Sequence, residues 1–353
     1  MKLARSCHWG LLAMLTLSAP AAAFDDLLSA VGAFPGGIDT PYIFDYSAPK
    51  DGFAAYRGGL ADNQLAQALV SASGVDPVTG IAFGEVTGVL TIGDPPKTLT
   101  MLFAEPGFAD GAPETLASRG FEETVVDDLP VFARGEDYAV DLTTARDPDP
   151  FASGMGKAQR LAFGTDYMLR TAGWPEMRSA LAALPHPSPD KQIWTAMING
   201  LRAASGEGAH LDVASGWAVS AFFDPGPGMD LMLDPEGAKA KFEAAASEPG
   251  EAIVFPYVLF AATQGPVQAS THIVLPFGGE AQARAAGEEV AERLAAYSPG
   301  AAAPRVTVDD DGTFFVAVVS MDVAAAEAPQ ALDLFNRWIG GVYQRDFKPL
   351  MLP

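Results

Sequence analysis

IVFPYVLFAATQGPVQASTHIVLPFGGEAQARAAGEEVAERLAAYS, Ile253 to Ser298, reads as two strands and a long helix. Ile253 to Thr263 is apolar and rich in β-branched and aromatic residues, the composition of a pleated, buried segment. Gln264-Gly265-Pro266 punctuates it, and Ala269 to Phe277 resumes the strand character. Gly278-Gly279 then opens a proline-free run of helical period, in which Ala283, Gly287, Val290 and Leu294 share one face and Glu288, Glu289 and Glu292 another. A hairpin followed by a helix has an apolar face on each part, and the pair closes as a packed α+β layer.

Outward from this stretch the same grammar repeats. Pro304 to Val323 reads as a second hairpin about Asp311-Gly312, and Ala328 to Arg345 as a helix with Leu332, Phe335, Ile339 and Val342 on one face. The half after Gly250 is therefore ββαββα. Before it, Asp234-Pro235 starts an Ala-rich helix to Ser247, and Gly216 to Phe223 reads as a strand. In the first half, Phe24 to Phe34 is a short amphipathic helix, Pro41 to Ser47 a strand and Asn63 to Ser73 a helix capped by Asp62. Val86 to Ile92 and Thr98 to Ala104 form a strand pair, Ala109 to Arg119 a helix, Glu123 to Asp128 and Pro130 to Gly135 a second pair that Tyr138 to Thr144 extends. Gln159 to Ala172 is strand or extended structure, and Trp174 to Leu184 and Pro189 to Ala204 are helices. The small-residue break Ser205 to His210 separates a 24–204 domain from a 211–353 domain. The expected fold is α+β: two antiparallel-sheet α/β sandwich domains in ferredoxin-like (ββαββα) order, helices on one face of each, related in element order as a duplication would leave them. Such an analogy carries no function.

Residues 1–23 read as a Sec-type signal peptide. Lys2 and Arg5 make the positive start, Leu11 to Ala19 the apolar run, and Ala21-Ala22-Ala23 the small-residue cleavage site before Phe24. The run is short for a membrane anchor, which needs about 18 or more apolar residues. The expected address is therefore periplasmic or secreted, with cleavage after Ala23. Cys7, the one cysteine, precedes the apolar run and leaves with the leader, so the mature chain has neither disulfides nor thiolate chemistry. Of 22 Lys and Arg the leader removes two, leaving 20 against 44 Asp and Glu, a net −24. That balance opposes nucleic acid and anionic membranes as partners, because phosphate binding rests on Lys and Arg.

Few residues carry a chemical signal. Ser47-x-x-Lys50 and Ser188-x-x-Lys191 have the spacing of a serine nucleophile and lysine, without the Ser-Asp-Asn and Lys-Thr-Gly partners; Ser188 and Pro189 fit a helix start instead. Gly154-Met155-Gly156-Lys157 lacks the spacing of a phosphate loop. His186, His210 and His272 share no metal-ligand spacing, and His272, inside a strand, reads as a satisfied core or sheet-face histidine. Asp309-Asp310-Asp311-Gly312, Asp127-Asp128 and Asp147-Pro148-Asp149-Pro150 read as turns and solvated loops, because calcium loops alternate their acids. Trp174, Trp194, Trp217 and Trp338 are assigned to packing, and one of Phe222 and Phe223 to an outward or interdomain face. No catalytic residue, cofactor or metal ligand emerges. The reading is a non-catalytic exported protein that binds a small molecule or an envelope protein, with a cleft between the domains as the place for a ligand. Two alternatives stand beside it: a periplasmic hydrolase working through dispersed carboxylates, and an envelope interaction or structural protein.

Overall fold

The computed structural model describes residues 22–33, 42–53, 63–93, 97–142, 149–151, 158–184, 191–222, 255–298 and 302–350. The Ser188–Lys191 spacing (Lys191 apart), Gly154–Lys157, His186, Asp147, Phe223 and the Asp234–Ser247 helix lie outside these residues.

Among the described residues twelve strands form one sheet. They are β1 (Tyr42–Ser47), β2 (Val86–Ile92), β3 (Leu99–Ala104), β4 (Glu122–Val126), β5 (Leu129–Arg134), β6 (Gln159–Phe163), β7 (Tyr167–Thr171), β8 (His210–Ala218), β9 (Tyr257–Gln264), β10 (Gln268–Phe277), β11 (Arg305–Asp310) and β12 (Phe315–Ala324). Their order is β11-β12-β10-β9-β8-β1-β2-β3-β7-β6-β5-β4, and every neighbouring pair is antiparallel. The fold is α+β, as the alternation of elements predicts. The two expected sheets, however, are one. β1 pairs with β2 on one side and with β8 on the other, Asp45 opposite both Thr91 and Ser215. Each half would otherwise end on an open strand edge, and pairing the two first strands removes both edges.

The chain runs outward from this seam twice. From β1 it steps to β2 and β3, crosses with α3 (Ala112–Ser118) to the far edge at β4, and returns as a meander until β7 docks on β3. From β8 it steps to β9 and β10, crosses with α6 (Glu280–Tyr297) to the edge at β11, and returns as β12, which slots beside β10. The second half thus has the ββαββα order read from the sequence. The first returns through four strands instead of two: Gln159 to Ala172, read as strand or extended structure, is the β6–β7 hairpin.

Helices cover both faces of the sheet, not one. Face A carries α2 (Asn63–Val70), α3, α6 and α7 (Ala328–Tyr343); face B carries α1 (Ala22–Ala33), α4 (Trp174–Ala183) and α5 (Lys191–Ser205). This explains why the central strands read as continuous apolar runs: in β9, Val258, Phe260 and Ala262 enter the face A core while Tyr257, Leu259 and Ala261 enter the face B core. The inward face expected for α6 is observed, with Ala283, Val290 and Leu294 fully buried. A Cβ on Gly287 would lie 2.7 Å from Val306 Cγ1, so this glycine sets how closely α6 rests on β11. The break at Ser205 to His210 is short: α5 runs to Ser205 and β8 begins at His210. By packing, α5 lies against β9, β10, β11 and β12, the strands that follow the break.

At the seam itself, Phe44 lies fully buried on face B, its ring edge-to-face with Trp194 at 5.1 Å between centroids. It fits only because residue 216 is glycine: a Cβ there would stand 2.2 Å from Phe44 Cε1. Gly216→Ala is expected to destabilise the protein by about 3 kcal/mol, the upper end for overpacking a core. The loss should shrink in a Phe44→Ala background, where the obstructing ring is gone. Denaturant unfolding of the four chains of this cycle measures both; additive losses would disprove the contact.

Candidate binding surface at the seam

Aspartate in the apolar strand Tyr42-Ile43-Phe44-Asp45-Tyr46 requires partners, because a buried or half-buried charge is costly without them. The face A side of the seam supplies them. Ser215, fully buried one strand over, donates its hydroxyl to Asp45 Oδ1 at 2.6 Å. The indole N–H of Trp217 donates to Ser215 Oγ at 2.8 Å, which orients that hydroxyl toward the carboxylate. Tyr343, in the last turn of α7, donates its phenol to Asp45 Oδ2 at 3.2 Å and packs edge-to-face on Trp217, 4.9 Å between centroids at 79°. Trp217 is 3% exposed but Tyr343 is 57% exposed. An aromatic ring held at both its edge and its hydroxyl, yet open to solvent, is a preorganised contact point. Of these residues only Trp217 stood out in the sequence, and as packing. The legible signal was the acid inside an apolar strand.

The histidines lie elsewhere. His272, on face B under α5, is completely buried. Its Nε2 is 2.9 Å from Thr263 Oγ1 on β9 and its Nδ1 2.9 Å from Ser320 Oγ on β12, so both ring nitrogens are occupied by neighbouring strands. Burial, with the nearby Arg305 cation adding to it and Asp322 opposing, lowers its pKa to about 3, and the ring is neutral. The structural role expected for His272 is the one seen. Beside it, Asp322 accepts from Ser270 at 2.7 Å and from Arg305 Nε at 2.9 Å, and Arg305 also reaches the Ala204 carbonyl at 3.3 Å, in the last turn of α5. His210 opens β8, with Nε2 2.6 Å from the Ala48 carbonyl. Its neighbour Asp212 accepts the Lys50 backbone N–H at 2.9 Å, and burial raises this carboxyl's pKa despite that bond. Ser47 and Lys50 therefore sit on a strand end and an exposed turn, not on one face of a helix.

The acidic runs divide. Asp127 and Asp128 both take positive φ, 47° and 65°, in the two-residue β4–β5 turn, and Asp311 accepts the Thr313 and Phe314 backbone N–H groups at 2.9 and 2.7 Å in the β11–β12 turn. Those are turns, as expected. Asp149 is not a solvated loop residue: it is 1% exposed. Its Oδ2 accepts from Arg119 at 2.9 Å, Arg134 at 3.2 Å and the Gln159 amide at 3.1 Å, and Oδ1 accepts the Phe151 N–H at 2.9 Å. Burial alone would raise its pKa, but these donors outweigh it and hold the carboxyl below the usual range. Both arginines also stack on Phe121, at 5.9 and 4.7 Å to the ring centre. The cluster ties α3 to β5, β6 and the loop before Phe151. Among the described residues no three His, Cys, Asp or Glu side chains come together to hold a metal. No described helix is long and apolar enough to cross a membrane.

His272→Leu leaves Thr263 Oγ1 and Ser320 Oγ unpartnered and is expected to cost about 2–4 kcal/mol at neutral pH. The sign with pH follows from the lowered folded pKa. The unfolded chain takes up the proton first, so the stability contributed by neutral His272 is complete above about 6.5 and is lost as pH falls toward 3. Urea unfolding at pH 7.5 and 4.5 should therefore show a smaller difference between wild type and variant in acid, and an equal difference at both would refute the assignment.

No protein-family model matches the chain, and no curated protein matches it. Among solved structures it is similar to crystal form I of TP0453, at 9% identity over 87% of this chain and 97% of that one, TM-score 0.35. It is similar also to crystal form III of TP0453, at 9% identity over 86% and 98%, TM-score 0.36. A likeness of this grade assigns no function.

Proposed function

We propose that the chain is an exported, non-catalytic binding protein of the periplasm or the secreted fraction, and that it engages a small molecule or a partner protein at the face A side of the seam. The observation that carries the reading is Tyr343: 57% exposed, yet held by Asp45 and Trp217. Exposed aromatics that lose little freedom on contact are the usual anchors of binding surfaces. The pairing of β1 with β8 beside this surface supports a site between the two halves. In the sheet both halves step outward from the seam as three neighbouring strands, β1-β2-β3 and β8-β9-β10, each trio followed by a crossing helix (α3, α6), which supports a duplicated ancestor for them.

A photo-crosslinking amino acid at exposed Gln344, introduced into the protein as its own cells export it, tests the surface. A discrete adduct is expected at 344 and none from the same group at Val75, which is 61% exposed between α2 and β2. Adding Tyr343→Ala should weaken capture about tenfold or more while shifting stability by less than about 1 kcal/mol. Capture that ignores Tyr343, or equal capture at Val75, would dispose of the site.

One observation favours the hydrolase reading. Asp26, half-buried in α1, has its carboxyl raised to about 6 by burial first and then by Asp25 and Asp166. A carboxylic acid protonated near neutrality is suited to general acid work. Its linkage has the opposite sign to that of His272: the fold prefers the protonated acid, so the stability it contributes is present below the unfolded pKa and is lost as pH rises through about 6. Asp26→Asn should raise the melting temperature at pH 7.5, raise it by less than half as much at pH 4.5, and leave it nearly unchanged near pH 3. If the same substitution abolishes a hydrolytic activity of the exported protein, the enzyme reading replaces the first.

A further inference from the structure

Among the described residues the sheet ends on two strands with no neighbour on their outer side, β4 and β11, and their charges differ in kind. β4 and its turn carry Glu122, Glu123, Asp127 and Asp128, with no lysine or arginine between Arg119 and Arg134. Two copies brought together along that strand would meet as like charges, which is one way a sheet keeps an edge single. β11 reads Arg305-Val306-Thr307-Val308-Asp309-Asp310, a β-branched centre with a cation at one end and anions at the other. α5 rests on it from face B and α6 from face A, so this edge is held in place. We infer that the chain forms a two-fold dimer in which β11 pairs antiparallel with β11 of a second copy, joining the two sheets into one.

The register follows from the pleat. Residues directly opposite one another in an antiparallel pair share a face, so a two-fold pairing of this strand is centred on a residue. Centred on Thr307, it sets Val306 against Val308 of the second copy and Arg305 against Asp309. Val306 and Val308 pack on the face A core, which the pairing extends across the axis. Arg305 and Asp309 both lie on face B: Arg305 reaches the Ala204 carbonyl of α5, and Asp309 Cβ stands 3.6 Å from where a Cβ on Gly200 of α5 would be. Each has capacity that its own chain leaves unused. The Arg305 side chain, 36% exposed, gives Nε and Nη2 to Asp322 and Nη2 to Ala204, while Nη1 has no partner among the described residues. Half-buried Asp309 accepts no hydrogen bond and forms no ion pair among the described residues. The dimer satisfies both groups twice, once on each side of the axis. A pairing centred on Val308 would instead set Asp309 against Thr307 and Asp310 against Val306, two carboxylates with no cation opposite.

Sedimentation velocity of the purified protein over a range of concentrations tests the dimer, and a reversible monomer–dimer equilibrium is expected. Asp309→Lys turns both pairs into like-charge pairs and should weaken the dimer about tenfold or more, whereas Asp309→Glu should keep it. The circular dichroism of the lysine variant should match that of the wild type, which separates lost pairing from lost folding. A cross-link tests the register. In a Cys7→Ser chain, Thr307→Cys supplies the sole thiol, and opposite Cα atoms of an antiparallel pair, about 4.5–5.5 Å apart, are within disulfide reach. Mild oxidation should give a covalent dimer at 307 and none from Val125→Cys on the other edge. A protein that stays monomeric throughout, a dimer indifferent to Asp309→Lys, or equal cross-linking at 125 would overturn the inference.

Discussion

The pairing of β1 with β8 is the constraint on which the rest of the molecule depends. It joins two outward-running halves into one sheet and turns what would be two edges into its middle. Once these strands are internal, neither face of the centre can be left to water, because Phe44, Tyr46, Ala214 and Ala218 point to one side while Val213 and Trp217 point to the other. Covering both faces then requires helices on both, and α1 and α5 meet over the seam on face B. The junction tolerates little: Phe44 occupies the space that any side chain at 216 would need.

A sheet covered on both sides also gives up the usual marker of register. When one face is wet, the alternation of apolar and polar residues fixes which way each strand must sit; where both faces are dry, a slip costs less in hydrophobic burial. Here polar side chains within the sheet take over that task. Asp45 finds Ser215 across the seam, His272 finds Thr263 and Ser320 on the strands to either side, and Thr271 Oγ1 donates to the Ala331 carbonyl of α7 at 2.7 Å. Each group is satisfied in one register and stranded in its neighbour. The energy of any one bond is modest, but the cost of leaving it unmade in a dry interior is larger, and that difference selects the pairing.

Local elements were legible because their signals are local. Gly278-Gly279 marks the end of β10 and the start of α6, and the apolar stripe of α6 could be read from its spacing. The β1–β8 pairing left no such trace: Ser215 and Asp45 stand 170 residues apart, and nothing near either names the other. For the same reason Ser205 to His210 looked like a linker. Its small polar residues resemble one, yet His210 already belongs to a central strand and Arg305, 101 residues beyond Ala204, holds the end of α5. Asp149 misled in the opposite direction. Flanked by prolines it has the composition of a loop, and only the arrival of Arg119 and Arg134 from α3's end and β5 makes it a buried anion.

The same logic separates the polar groups that build the fold from those that face outward. His272 has both ring nitrogens engaged and Asp149 both carboxylate oxygens, from several directions, and both side chains are buried, so neither could meet a substrate without breaking the core. Asp45 differs in kind. It is held by a buried serine below and by a tyrosine above, and the tyrosine is at the surface. A ligand that displaced or bridged the Tyr343 hydroxyl would exchange one hydrogen bond for another without disturbing Ser215 or the seam. The geometry that fixes the two halves in register thus extends, through one carboxylate, to a ring that solvent can reach.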